Sequence, residues 1–469
     1  MNTTILEKED IQELLIKHSQ PHLLEVWASL SEDSKDLLSD QIAALDFKLI
    51  SELGELGKMM GSDDTASSIL PPDTVTLDEV ERKSDRVLSA ISRGTIELAA
   101  GRVGMLLVAG GQATRLGCDG PKGDFPVGPV SGWSLFEIHA RRILALNKRY
   151  GIRTPWYVMT SQANDQQTKN IFEANDNFGL PSEDVVFFTQ KMLPALDLAG
   201  NVLLKDKSSL FLAPNGHGGS LEAFVSSGCL DDAKSRGVTT LSYFQVDNPL
   251  VRPADPLFIG LHCEAGAQMS SKVVQKSSAD EKVGVLGLVN GKMGCIEYSD
   301  MSTELLNAVN DQGSLKFSAG NIAVHAISID FIREITDGEL RLPWHVAKKQ
   351  ISCLSPNGDQ ALVDGMKFET FVFDALGLAN ESITLEVDRA AEFAPVKNRE
   401  GNDSPDTARA QLCALHGRWA IEAGLTLPAP EEGGVVAIEI DPLLAEDAES
   451  FRACLPRTPL ETDDGQLYY

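Results

Sequence analysis

The chain has 469 residues, 43% of them hydrophobic and 23% charged, enough for one large domain with a sizeable core and smaller additions at its ends. No stretch approaches the roughly 18 uncharged apolar residues of a membrane span, and a formal net charge of −27 argues against nucleic acid or an anionic membrane as partner. The seven cysteines stand singly with no CxxC spacing, and the first ten residues are polar and acidic rather than basic then apolar, so the expected setting is a reducing cytoplasm.

Residues 5–57 read as amphipathic helices, with Leu14, Leu15, His18, Leu23, Leu24 and Trp27 recurring at helical spacing. The stretch 61–73, rich in Ser, Asp and Pro, reads as a linker or exposed loop. From Val103 the texture changes to short apolar runs alternating with helical segments. Strands are expected at 103–108, 156–159, 185–188, 240–246 and 272–274, with crossover helices at 134–148 and 220–235. A hairpin is expected from 284–289 and 294–298 around Asn290-Gly291, then a helix over 407–423, a linker at 428–434 and one short strand at 435–440. The expected architecture is α/β: a Rossmann-like, doubly wound mixed sheet. It divides into a helical N-terminal region over 1–100, a central domain over 101–395 and a small C-terminal region with an acidic tail over 396–469.

The most informative segment is Val108-Ala109-Gly110-Gly111-Gln112-Ala113-Thr114-Arg115-Leu116-Gly117, followed by Pro121-Lys122-Gly123. It leaves a buried strand where open α/β sheets bind ligands. Gly110 and Gly111 let backbone approach a nucleotide, with N–H groups to cradle phosphate oxygens, and Arg115 and Lys122 supply fixed positive charge. Neither a Walker GxxxxGK[ST] nor a GxGxxG motif is present at this loop, which disfavours a P-loop hydrolase and a dinucleotide dehydrogenase. Asp247, in Val246-Asp247-Asn248-Pro249, places a carboxylate at a strand's carboxyl end. Mg²⁺ prefers few protein oxygens plus substrate phosphates, so one aspartate suffices as its protein ligand.

The GGxxxRxG then PKG combination resembles the nucleotide-binding loop of sugar nucleotidyltransferases, and the likeness to the eukaryotic-type UDP-sugar pyrophosphorylases runs from the helical lead-in, through Trp156-Tyr157-Val158-Met159-Thr160-Ser161, to Gly424. The resemblance is greatest to the N-acetylhexosamine branch. It implies a Mg²⁺-dependent uridylyltransferase that joins UTP and a sugar 1-phosphate, with release of pyrophosphate. It assigns catalytic cations to Arg115, Lys122 and Lys397, the last in Glu392-Phe393-Ala394-Pro395-Val396-Lys397-Asn398. It implies nucleotide contacts at Ala109, Gly110, Gly111, Gln190, Gly216, His217 and Asp247, with Gln190 reading the uracil edge and Asp247 also serving the metal. On the sugar side it implies Gly284, Glu297, Asn321, Phe371 and Phe373.

Three features depart from that branch's pattern: Ala113 stands where Gly is usual, His217 where Asn is usual, and the Gly219-Ser220-Leu221 continuation lacks the usual Leu-Tyr. Gly216-His217-Gly218 is more like UDP-glucose pyrophosphorylases, which keeps glucose or galactose 1-phosphate open beside N-acetylhexosamine 1-phosphate. A binding protein that kept the fold and lost the chemistry is the other alternative. Retention of Arg115, Lys122, Asp247 and Lys397 together argues against it.

Overall fold

A computed structural model describes residues 8–59, 68–337, 340–355, 358–429, 435–455, 460–461 and 466–469. Two compact units interleave along the chain, the smaller from 1–65, 190–219 and 342–372, the larger from 66–189, 220–341 and 373–469. The helical lead-in therefore packs with two segments far ahead of it in sequence.

In the smaller unit the lead-in forms four helices, Lys8–Lys17, His22–Ala28, Glu32–Ala43 and Phe47–Met59. Their apolar faces, including Leu15, Leu23, Trp27, Ile42 and Ile50, bury against Leu196, Val202, Leu204, Met366 and Phe368. The partner surface is an antiparallel ribbon of His345–Leu354 and Gln360–Glu369, extended by Leu196–Asp197.

The larger unit is built on a mixed sheet. Its main path comprises β1 (Thr74–Val75), β2 (Val103–Val108), β3 (Trp156–Thr160), β4 (Val185–Thr189), β5 (Thr240–Gln245), β6 (Met269–Gln275), β7 (Ala319–Ser328) and β8 (Thr384–Glu386), in the order β1-β8-β6-β7-β5-β2-β3-β4. Only β7 runs antiparallel to its neighbours on this path. The central strands are buried on both faces, as in a parallel sheet covered by helices. From β2 the chain winds outward to β3 and β4 and then returns to β5 on β2's other side. The carboxyl ends of β2 and β5 thus meet at a topological switch point, with Val108 registered against Gln245.

The helix Leu135–Tyr150 shows why the crossover forms where it does. Ser134 caps it by accepting the N–H of Glu137, and Gly151 ends it in the left-handed region. Its inner face, including Phe136, His139, Ala140 and Ile143, enters the core. The expected hairpin is present as Val285–Val289 and Lys292–Ile296, with positive φ at both Asn290 and Gly291 as a type I′ turn requires.

Three expectations are corrected. The single helix over 220–235 is two helices, Gly219–Ser226 and Cys229–Ser235, because Gly228 adopts a left-handed conformation between them. Within the loop at 61–73, Ile69–Leu70 pairs with Leu288 and Val289 as an added strand; 61–67 lie outside the described residues. The strand at 435–440 shrinks to Ile438–Glu439, paired with Leu467–Tyr468, and 430–434 of the proposed linker also lie outside the described residues.

The helices Asp85–Ala99 and Pro256–Glu264 cross at Gly94 and Gly260, where backbone meets backbone. A Cβ on Gly260 lies 1.7 Å from the Ala90 carbonyl oxygen, and one on Gly94 lies 1.8 Å from that of Pro256. Gly260→Ala is therefore expected to destabilise the fold by about 1–3 kcal/mol through overpacking, despite a helix-propensity gain of about 1 kcal/mol. Thermal unfolding measures it, and an unchanged or raised midpoint would contradict the packing argument.

Candidate active site

The loop leaving β2 is braced from below through its carbonyl groups. Asn164 Nδ2 donates to the carbonyls of Ala109 at 2.8 Å and Gly111 at 3.2 Å, Ser161 Oγ donates to that of Gly110 at 2.9 Å, and the Lys122 N–H donates to that of Gly111 at 3.1 Å. With the carbonyls turned inward, the N–H groups of Gly110 and Gly111 donate to no described residue. This is the arrangement an anion cradle needs, and it falls at the switch point.

Lys122 sits on a single turn, Lys122–Asp124, pressed against the helix Leu135–Tyr150. A Cβ on Gly123 would stand 2.2 Å from the Phe136 ring, so only glycine lets the turn pack there. From this turn Lys122 Nζ reaches Asp247 Oδ2 at 3.0 Å, and both side chains are mostly buried, 17% and 13% exposed. The structure thus brings together a cation and a carboxylate separated by 125 residues in sequence.

Asp247 is held on both sides. His139 Nε2 donates to the Val246 carbonyl at 3.1 Å; burial pushes this imidazole down to about 4, so it stays neutral. Arg142, on the same helix, donates to the carbonyls of Pro249, Leu250 and Val251. The Val396 N–H donates to the Asp247 carbonyl at 2.9 Å, which brings the backbone next to Lys397 to the same strand end. The Lys397 ammonium itself stands 4.0 Å from Asp403, half exposed, on the wall of a cleft of about 620 Å³ that also takes in Glu281, Lys282, Arg389 and Phe393. Arg115 is exposed on the turn Ala113–Leu116 and is not joined to the Lys122–Asp247 pair.

Three of the expected sugar-side residues also converge. The Asn321 N–H donates to the Gly284 carbonyl at 2.8 Å, its Nδ2 lies 3.7 Å from Cys295 Sγ, and Glu297 Oε1 is 3.2 Å from where a Gly284 Cβ would be. Burial, with the Glu297 carboxylate beside it, raises the Cys295 pKa, so the group at the centre of this cluster stays a neutral thiol. Phe373, of the same unit, is buried.

Gln190, Gly216, His217 and Phe371 belong to the smaller unit. Gly216 has φ of 82° and a Cβ there would be 2.4 Å from the Thr370 carbonyl oxygen, so the loop requires glycine twice over. His217 accepts the Val372 N–H at Nδ1, 3.1 Å away, and stacks on Phe371 with ring centroids 5.2 Å apart. His345 stacks on Phe371 as well, with centroids 4.3 Å apart. Burial first, then the charge of His345, pushes His217 down to about 4. Gln190 is buried.

Sequence reasoning missed Ser161, Asn164, His139, Asn248 and His345. Ser161 and Asn164 had a signal, a Ser-x-x-Asn step between a strand and a helix, whereas the others act through contacts far apart in sequence.

A mixed α/β sheet with a loop of free amide donors, a lysine and an aspartate at its switch point suits a bound nucleotide, and the class is that of the nucleotidyltransferases. The chain belongs to the UTP–glucose-1-phosphate uridylyltransferase family, whose model matches residues 64–441, and its reaction is uridylyl transfer between UTP and a sugar 1-phosphate. It is 34% identical to UDP-N-acetylglucosamine diphosphorylase 2 of Arabidopsis thaliana, covering 95% of this chain and 91% of that one. It is 35% identical to UDP-N-acetylglucosamine pyrophosphorylase of Saccharomyces cerevisiae, covering 88% and 91%. Among solved structures it is similar to the uridine diphosphate N-acetylglucosamine pyrophosphorylase of Trypanosoma brucei in complex with inhibitor, with 28% identity, a TM-score of 0.80, and 97% and 96% of the two chains covered. Among the described residues no helix is long and apolar enough to cross a membrane.

The buried histidines give a pH prediction. Burial pushes His139, His217 and His262 down to about 4 and His416 to about 3, from an ordinary 6.5. Below pH 6.5 the unfolded chain takes up protons that the folded chain refuses, so this stabilisation is complete above 6.5 and is lost as pH falls toward 4. Glu439 and Glu446, raised by burial, act in the opposite sense. Denaturant midpoints should fall from pH 7 to pH 5, and fall less in His262→Gln; an equal fall in that variant would contradict the assignment.

Proposed function

We propose that this uridylyltransferase takes an N-acetylhexosamine 1-phosphate and makes the corresponding UDP-N-acetylhexosamine, with Lys122, Arg115 and Lys397 as its catalytic cations and Asp247 as the protein ligand of Mg²⁺. The observation that carries the catalytic reading is the Lys122–Asp247 contact beside the open N–H groups of Gly110 and Gly111. The sugar assignment is supported by relatives 34% and 35% identical over most of the chain that are named for N-acetylglucosamine.

The sugar 1-phosphate carries its own nucleophile. A phosphate oxygen attacks the α-phosphorus of UTP, a new P–O bond forms in line with the one that breaks, and pyrophosphate leaves with the electron pair. No general base is needed, so the protein's work is to align two polyanions and neutralise charge that builds on the leaving group. Lys122 gives up Asp247 for a phosphate oxygen, while Arg115 and Lys397 approach from the two other phosphate-facing segments. The amide of Gln190 pairs with uracil by donating to a carbonyl and accepting from the ring N–H. Ala109, Gly216 and His217 complete the nucleotide contacts, and Gly284, Glu297, Asn321, Phe371 and Phe373 the sugar contacts.

The donor set suits Mg²⁺ brought by its substrate. Among the described residues no three His, Cys, Asp or Glu side chains converge as a metal site, but one carboxylate with substrate phosphate oxygens and several waters is an ordinary Mg²⁺ shell. When bound, the ion supplies further neutralising charge at the phosphates.

A second reading, glucose 1-phosphate as the sugar, is favoured by His217, which stands stacked on Phe371 where the N-acetylhexosamine pattern has Asn. Pyrophosphate release with Mg²⁺, UTP and a panel of sugar 1-phosphates decides between them. The expected result is highest kcat/KM with an N-acetylhexosamine 1-phosphate; preference for glucose 1-phosphate selects the second reading, and no release with any sugar overturns both. In the same assay Lys122→Ala and Lys397→Ala should each lower kcat on the order of 10²-fold or more with unchanged circular dichroism. Wild-type rates in these folded variants would remove the two lysines from the reaction.

A further inference from the structure

Asn248 follows Asp247 directly, yet its side chain is turned away into the protein, 4% exposed, with every polar atom engaged. Its Oδ1 accepts the Leu250 N–H at 3.2 Å. Such an Asx turn is common at strand ends and needs the oxygen alone. The other bonds are not local. Nδ2 donates to the Glu392 carbonyl at 2.7 Å, and Oδ1 accepts the Ala394 N–H at 3.0 Å.

The amide thus grips a distant segment by one carbonyl and one N–H two residues apart, and the Asp247 carbonyl continues the pattern by accepting the Val396 N–H. The next residue is Lys397. From the far side Lys272, fully buried, donates to the Glu392 carboxylate at 2.6 Å and to Asp255 at 2.8 Å. The segment 392–396 is therefore fixed at both ends, and the Asn248 side chain supplies two of its three hydrogen bonds to the strand end of Asp247, the Val396 N–H to the Asp247 carbonyl being the third.

Only asparagine meets these demands at this reach. Aspartate would keep both acceptor bonds but set an oxygen against the Glu392 carbonyl, serine is too short to reach both groups, and glutamine adds a methylene to a buried site.

We propose that Asn248 is a positioning residue for catalysis: its side-chain amide docks the 392–396 segment and so sets where Lys397 stands relative to Asp247 and the phosphates. The proposal rests on the phosphate role given to Lys397 above, and a double-mutant cycle tests the two separately. Steady-state kinetics are measured for the wild type, Asn248→Ala, Lys397→Ala, Lys122→Ala, and the doubles Asn248→Ala/Lys397→Ala and Asn248→Ala/Lys122→Ala, with melting curves for each.

Misplacing a charge-neutralising group by about 1 Å costs on the order of 10²-fold in rate, so Asn248→Ala should lower kcat by about that factor and leave KM for UTP nearly unchanged. In the Lys397→Ala background the same substitution should cost less than about threefold, because the group it positions is gone. In the Lys122→Ala background it should cost its full factor. A full further cost on top of Lys397→Ala would overturn the proposal and make Asn248 a structural residue only. Wild-type turnover in Lys397→Ala would instead overturn the phosphate role, and the proposal with it. Should Asn248→Ala not fold, the cycle is run with the isosteric Asn248→Asp, which keeps both Oδ1 bonds and is expected to show the same non-additivity.

Discussion

The rest of the candidate site depends on the contact between Lys122 and Asp247, and that contact depends on β2 and β5 being neighbours. A parallel sheet wound in both directions from β2 makes them so, with Val108 beside Gln245 and the two loops leaving side by side. The pair is mostly withdrawn from water. Breaking a buried pair by removing one partner leaves an uncompensated charge and costs on the order of 3 kcal/mol or more. Exchange of both partners carries no such penalty. On the proposed reading, a phosphate offered to Lys122 and a divalent cation offered to Asp247 would replace each partner with an ion of higher charge, and the resting pair would keep two charges in place for UTP.

Several buried polar groups brace the backbone around that pair. The helix Leu135–Tyr150 is the hub, with Phe136 under the Lys122 turn, His139 on Val246 and Arg142 on the three carbonyls beyond Asn248. The small C-terminal region fastens the same helix and the loop before it. Arg141 donates to Asp441, and Glu439 accepts the N–H groups of Val130 and Ser131 at 2.9 and 2.6 Å. The acidic tail thus has three of its carboxylates, Glu439, Asp441 and Glu446, turned toward the body of the larger unit.

Most of the sheet was legible because buried parallel strands are written as short runs of apolar residues; those of β2 and β3 are nearly pure, while β5 carries Thr240 and Ser242 among its buried positions. The breaks were harder. Gly228 divides a helix through one backbone dihedral that periodicity does not register, and Ile69–Leu70 becomes a strand only because the Val285–Val289 edge is there to pair with it. In the site, the glycine loop, Lys122 and Asp247 were readable because their chemistry is local and their positions follow strands. Asn248, His139 and Lys272 were not, since each earns its place through partners more than 100 residues away. The interleaving of the two units has the same cause: nothing in residues 190–219 or 342–372 alone marks them as the floor for the N-terminal helices.

The most direct test of this account is the affinity for UTP without metal, measured by calorimetry in chelator for the wild type and for Asp247→Asn, with turnover in Mg²⁺ measured alongside. Loss of the carboxylate charge frees Lys122 for phosphate. The variant should therefore bind metal-free UTP more tightly than the wild type, while its turnover with Mg²⁺ falls on the order of 10²-fold. Equal or weaker metal-free binding together with wild-type turnover would contradict the exchange of partners on which the site is built.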